Sequence, residues 1–350
     1  MKLYTPGFGE IPDMYITYGL FEGAVRGLPY SEVKLFPQGQ KFILEIEADE
    51  SDISKGLIRG VKDAIIEMLE LFQSTWKIGY TSFGGAIDRL DLGRNYKSVP
   101  GKLKTFLKKS WDLSSSYKEA HHKCSKKTTP YLPITPQLGT KRSFLYETVE
   151  RKNYYQILGE NCCFPLCWVG LHYYSSFYTT GDSTTFCTLI PTSLLDKTDL
   201  LPVKDISTRV QYHKESRKVQ LNLFSLALYL LSKGETLFAL NKPWKLCIYN
   251  ISISGKAPSI RSYTIIQPKR FLEFISVVKS SSPNWLRLLD SLIKEDKQES
   301  ISLIAESLLF NNTNSLYDAL KQVERSLGKE EKQFLDEAIV DALYKTIWSL

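Results

Sequence analysis

The chain has 350 residues and a formal charge of +7, with 43% apolar and 12% aromatic residues. That composition supplies a packed core and excludes wholesale disorder, and the length suits two domains or one large domain with an added lobe. The most apolar run, Leu221 to Leu231, is broken by Asn222 and Ser225. It falls far short of the roughly 20 residues that span a bilayer, so no membrane partner is expected.

In chain order, the opening Met1-Lys2-Leu3-Tyr4-Thr5-Pro6-Gly7 lacks the long apolar stretch of a secretory signal. Residues 12 to 27 read as a helix opening on Pro12 and Asp13, with Tyr15, Tyr18, Phe21, Glu22 and Val25 at helical spacing. Gly19, Gly23 and Gly27 on the other flank predict close packing against a second backbone, since glycine otherwise costs about 1 kcal/mol in a helix interior. Strands are predicted at 32–36 and 41–47, joined through Pro37-Gln38-Gly39, and a helix from Ser51 to Phe72 carries a stripe of Leu57, Val61, Ile65 and Leu69. Regular signals weaken over 73–153, where Lys102 to Ser110 reads as one short basic helix. Helix is then predicted over 158–178, extended chain over Thr184 to Ile190, and helices near 219–233 and 268–279. Strands at 245–254 and 260–266, joined by Gly255-Lys256-Ala257-Pro258, make an antiparallel pair. After Pro283 four amphipathic segments follow at 284–295, 298–310, 314–327 and 330–348, broken at Asn311-Asn312-Thr313-Asn314 and at Gly328. The expected fold class is α+β: a mixed α/β body over 1–280 with antiparallel strands, and a C-terminal helical bundle over 284–350.

Charge is segregated. Between Arg94 and Lys152 stand fourteen basic residues and four acids, a net of +10, so the rest of the chain sums to −3. A basic field gathered in one region raises the local concentration of polyanions, and interleaved aromatics offer flat faces to unpaired bases. The candidate phosphate contacts are Lys102, Lys104, Lys108, Lys109, Lys123, Lys126, Lys127, Lys141 and Arg142, with Tyr117 and Tyr131 as stacking faces. The plainer reading is a solvated lysine-rich loop. A second basic group at Lys204, Arg209, His213, Lys214, Arg217 and Lys218 either extends this groove or is ordinary surface.

Six cysteines at 124, 162, 163, 167, 187 and 247 form no compact disulfide framework, which suits a reducing cytoplasm. His121, Cys124, Cys163 and Cys167 make a candidate tetrahedral zinc set, although the apolar surroundings of Cys167 favour buried free thiols. His121 and His122 beside Lys123, Lys126 and Lys127 sketch a metal-independent nuclease centre, without an orienting carboxylate beyond Glu119. Asp88 and Asp91 flank a leucine but adjoin Arg89 and Arg94, which suits local ion pairing. No Walker-type loop, His-Glu-x-x-His or Gly-x-Ser-x-Gly is present, so neither an enzyme nor a cofactor other than the candidate zinc is expected.

Three stretches resemble the large subunit of archaeal type I-A CRISPR interference complexes, the Cas8a2 or Csa4 family. They are Tyr15-Ile16-Thr17-Tyr18-Gly19-Leu20-Phe21-Glu22-Gly23, then the cysteine-rich Cys162-Cys163-Phe164-Pro165-Leu166-Cys167-Trp168-Val169-Gly170-Leu171, then Ala305-Glu306-Ser307-Leu308 followed by Leu316 to Arg325. The resemblance implies a non-catalytic subunit that works with crRNA-guided Cas7- and Cas5-type backbone subunits, a small subunit and the Cas3 nuclease–helicase. It also implies help in recognising the protospacer-adjacent motif (PAM) and opening target DNA, while guide pairing reads most of the sequence.

Overall fold

The computed structural model describes residues 1–7, 9–39, 41–76, 98–118, 162–180, 183–209, 222–233, 242–254, 257–294, 297–329 and 331–348. Helix α1 (Glu10–Gly27) lies at its centre, and fifteen of its residues are buried. It is apolar on nearly every side because it is covered on every side. The helix begins at Glu10, ahead of the Pro12-Asp13 start that the sequence suggests. Asp13 instead reaches back, its carboxylate accepting the N–H groups of Gly7 and Gly9 at 3.0 Å each. Those two glycines hold φ of 88° and 129°, values that side-chain-bearing residues rarely adopt.

One face of α1 meets an antiparallel sheet in the order β1 (Lys2–Tyr4), β3 (Lys41–Glu47), β2 (Glu32–Gln38), β6 (Leu195–Asp196). Strict alternation points Leu3, Val33, Leu35, Phe42, Leu44 and Ile46 inward, while Lys2, Lys34, Glu45 and Glu47 form ion pairs on the outer face. The second antiparallel sheet runs β4 (Ser176–Thr180), β5 (Ser183–Pro191), β7 (Trp244–Ser254), β8 (Ala257–Ile266). It docks on α1 through Tyr15 Oη against Thr188 Oγ1 at 2.7 Å and Tyr18 Oη donating to the Leu189 carbonyl at 2.6 Å. Two expectations are corrected here. Residues 176–178 are strand rather than the end of a helix, and Ala257 and Pro258 belong to β8, paired with Ser254 and Ile253, rather than to the turn.

Helix α2 (Glu50–Trp76) and the wholly buried α5 (Cys163–Tyr174) both pack on α1 and touch each other, Tyr173 Oη donating to the Ala64 carbonyl. Both interfaces are glycine seams. A Cβ on Gly19 would overlap the Leu166 carbonyl, and one on Gly170 would overlap that of Tyr15. Further along α1, against α2, a Cβ on Gly27 would overlap the Gly56 carbonyl, and one on Gly60 that of Gly23. The helices approach until their backbones touch because no side chain stands between them. Helix α6 (Lys197–Arg209) follows β6 and packs on α5.

Where α1, α2, α5 and α6 meet, one carboxylate is fully enclosed. Glu22 Oε1 accepts from Arg26 Nε at 2.6 Å and from Lys204 Nζ at 2.7 Å, while Oε2 accepts from the Tyr174 hydroxyl at 3.0 Å. Arg26 also reaches Glu67 at 2.6 Å. The Arg26 guanidinium and the Lys204 ammonium each lie 4.9 Å from the centre of the Tyr173 ring. Burial, and after it the charges of Arg26 and Lys204, pulls the His172 imidazole down to about 3, so it is carried neutral in this node.

Among the described residues the α-helices after α6 are α7 (Leu223–Lys233), α8 (Lys269–Ser281), α9 (Trp285–Lys294), α10 (Gln298–Phe310), α11 (Thr313–Ser326) and α12 (Glu337–Trp348). Asn311 turns the chain in the left-handed region at φ 56°, and the Asn312 side chain then caps α11 by accepting from the N–H groups of Asn314 and Ser315. The C-terminal helices pack on α7 and α8. Tyr229 and Lys233 both donate to Asp290, and Trp285 Nε1 donates to Ser232 at 3.0 Å. Among the described residues no helix is long and apolar enough to cross a membrane.

Candidate nucleic-acid interface

Helix α3 (Ser98–Lys108) and the short α4 (Leu113–Tyr117) lie along α2. On α3 the residues Leu103 and Phe106 are buried, and the opposite flank carries Lys104 and Lys108, four apart and exposed, with Lys109 exposed just beyond. Four-residue spacing puts Lys104 and Lys108 on one face. The turn after α3 is held by Trp111, whose indole Nε1 donates to the Phe106 carbonyl at 2.9 Å and whose ring stacks on Phe106 at 5.0 Å. Asp112 then caps α4, accepting from the Ser114 hydroxyl at 2.7 Å, the Ser115 N–H at 3.1 Å and the Ser54 hydroxyl at 3.1 Å. Hydrogen bonds from Ser114 and Ser115 hold its carboxyl below the usual aspartate range.

Hydrogen bonds that bind this unit to α2 include Ser54 to Asp112, Lys118 to Glu50 at 2.7 Å, and Lys62 Nζ to the Lys109 carbonyl at 3.1 Å. The last brings a fourth ammonium to the edge. Among the described residues no carboxylate forms an ion pair with Lys62, Lys104, Lys108 or Lys109, whereas Lys118 is taken up by Glu50. A cluster of like charges without compensation repels itself, and a bound polyanion relieves that repulsion.

The structure separates the candidate residues. Lys104, Lys108 and Lys109 share this edge; Lys102 lies on α3, its side chain outside the described residues. Lys123, Lys126, Lys127, Tyr131, Lys141 and Arg142 lie outside the described residues, as do His121, His122, Cys124, Asp88 and Asp91. Tyr117 is a correction: its ring is fully buried and its hydroxyl donates to Cys163 Sγ at 3.0 Å, so it offers no face to a base. Burial, followed by the neighbouring Cys162 and Cys163, pushes its phenol well above the ordinary value. Cys163 and Cys167 are buried free thiols on α5, and burial raises the Cys167 thiol. Among the described residues no three His, Cys, Asp or Glu side chains gather as a metal site. Lys204 is a second correction, since it turns inward to Glu22 instead of extending a groove. Sequence reasoning missed Lys62, which lies outside the counted basic stretch and reaches it only because α2 packs on α3. Trp111 counts among the aromatics interleaved with the basic run, but only Tyr117 and Tyr131 are singled out there as stacking faces.

Together these features define a class: an α+β protein with a glycine-seamed helical centre and a basic edge that has no carboxylate partner among the described residues. The chain belongs to the Cas_Csa4 family of CRISPR-associated proteins, whose family model matches residues 1–347. It is similar to the CRISPR-associated protein Cas8a2/Csa4 of Methanocaldococcus jannaschii, 25% identical over 318 residues that cover 86% of this chain and 83% of that protein. It is also similar to the CRISPR system associated protein Cas8 of Thermoproteus tenax, 24% identical over an alignment of 378 positions covering 98% of both chains. The family resemblance carried by Tyr15–Gly23 and Cys162–Leu171 holds, and these two stretches are the two sides of the α1–α5 seam.

Proposed function

We propose that this chain is the large subunit of a crRNA-guided type I-A interference complex and meets target DNA through the basic edge on α2 and α3. The observation that carries the reading is the family match across residues 1–347. The ammoniums of Lys62, Lys104, Lys108 and Lys109, which have no carboxylate partner among the described residues, supply the physical means, because neutralising phosphates releases condensed counterions. In this reading the subunit is non-catalytic. It sits against Cas7- and Cas5-type backbone subunits and the small subunit, helps recognise the short duplex motif and open the strands, and helps bring Cas3 to the target.

Reconstitution tests this. Guide-loaded backbone subunits should bind a motif-bearing target duplex tightly only when the full chain is added. Equal binding without it would sink the reading. Incubating the chain alone with labelled single-stranded and duplex DNA, with and without chelator, should give no cleavage. Cleavage abolished by joint His121→Ala and His122→Ala substitution would favour the nuclease instead. Retention of partner proteins without any contribution to DNA binding would favour a scaffold.

A further inference from the structure

Trp111 is held in a way its packing alone does not require. Its inner face stacks on Phe106 at an interplanar angle of 17°, and its indole N–H is already used by the Phe106 carbonyl. The ring plane is therefore fixed relative to α3, with no polar atom left to satisfy. Lys109 Nζ lies 5.8 Å from the ring centre. An ammonium does not fit between two rings stacked at 5.0 Å, so it sits outside that pair. The residue is only half-buried, and among the described residues the cation beside its ring belongs to a flexible lysine with no carboxylate partner.

We infer that Trp111 is the stacking platform of this edge for one unpaired base, with Lys109 as its displaceable cover. The inference rests on the proposed function and gives its basic edge a preference for single strands. An arriving base takes the outer face of the indole, and the Lys109 ammonium exchanges its cation–π interaction for a phosphate oxygen. Lys62, Lys104 and Lys108 lie on the same edge to follow the backbone on either side. Every base has a π-face, so the platform selects for unpaired nucleotides and not for sequence. A duplex keeps its bases stacked inside and gains nothing from it.

The test uses the full chain with fluorescein-labelled oligothymidylate, oligouridylate and a duplex of matched length. Trp111→Leu keeps apolar bulk over Phe106 but removes the flat face. It should weaken oligothymidylate binding roughly 5- to 150-fold, the span expected when one base–aromatic stack is removed. Duplex binding should stay within about twofold, and the slope of log affinity against log salt should not change, because every phosphate-binding ammonium is still present. Trp111→Phe keeps an aromatic face and should bind oligothymidylate close to wild type. Should the leucine variant fold poorly, tryptophan emission decides: wild type loses emission on adding oligothymidylate, and Trp111→Phe lacks that share of the quench. A leucine variant that binds oligothymidylate like wild type, one that weakens single strand and duplex alike, or equal quenching in wild type and Trp111→Phe would overturn the inference. Wild type that binds no nucleic acid in any arm would instead overturn the proposed function. The oligouridylate arm distinguishes RNA from DNA as the source of the unpaired bases.

Discussion

Replacing Glu22 by alanine should cost this protein about 3–5 kcal/mol of folding stability, the penalty for removing one partner of an enclosed charge network. Glu22 is fully buried and is the common acceptor for Arg26, Lys204 and Tyr174. Alanine leaves the Tyr174 hydroxyl, itself buried, without its acceptor, and two cations beside one aromatic ring without the charge between them. Arg26 retains Glu67, which is about half exposed, so the destabilisation is tempered there. Lys204, with 24% of its side chain exposed, turns outward to water and frees α6 from α1. Glutamine keeps an acceptor oxygen in place but not the charge, so Glu22→Gln should be less destabilised than Glu22→Ala. Urea denaturation of the two variants measures both. A cost under about 1 kcal/mol for alanine would mean that the node contributes little net stability, as many buried ion networks do against apolar replacements.

The second large effect has a sign that two principles dispute. Gly60→Ala removes glycine from the interior of α2, and helix propensity alone predicts a gain of up to about 1 kcal/mol. Packing predicts the reverse. The new Cβ would fall on the Gly23 carbonyl and against the Gly27 amide, which are backbone atoms of a helix also clamped, nearer its N-terminus, by the Gly19 and Gly170 seam. Neither atom belongs to a side chain that can swing away, so α1 and α2 must separate. Overpacking costs typically 1–3 kcal/mol and the separation opens voids along the seam, so a net destabilisation of about 2 kcal/mol or more is expected. Thermal unfolding of Gly60→Ala decides the matter. A raised midpoint would show that the seam gives way easily.

Much of this architecture is legible in the sequence because its periodicities are local. The α1 glycines at four-residue spacing announce a close helix approach, and they form it. The alternation in β2 and β3 sets which residues face α1. Tyr117 illustrates what a linear reading loses. Beside Lys118 and a run of serines it looks like a solvent-facing aromatic, but its burial is decided by Cys162 and Cys163, which approach from 45 and 46 residues away. Residues 175–178 mislead for another reason: Tyr173, Tyr174, Phe177 and Tyr178 suit helix and strand alike, and only pairing with Thr185 and Phe186 selects the strand. Lys62 is invisible as a site residue because it sits in an amphipathic helix with ordinary charge, and Trp111 is one of several aromatics in the basic run with nothing in its spacing to single it out. Lys204 errs in the opposite direction, a surface charge by count that a buried glutamate draws inward.

In the proposed function the basic edge grips the DNA, and its salt dependence is the most direct probe. Full-chain affinity for a target duplex should be measured from low to physiological salt for wild type and for a variant with Lys62, Lys104, Lys108 and Lys109 all replaced by glutamine. If the four ammoniums grip phosphates, the variant's slope of log affinity against log salt should be shallower by roughly three to four, at about 0.9 for each phosphate no longer neutralised. An identical slope in the two proteins would contradict the account and place the grip on DNA elsewhere in the molecule.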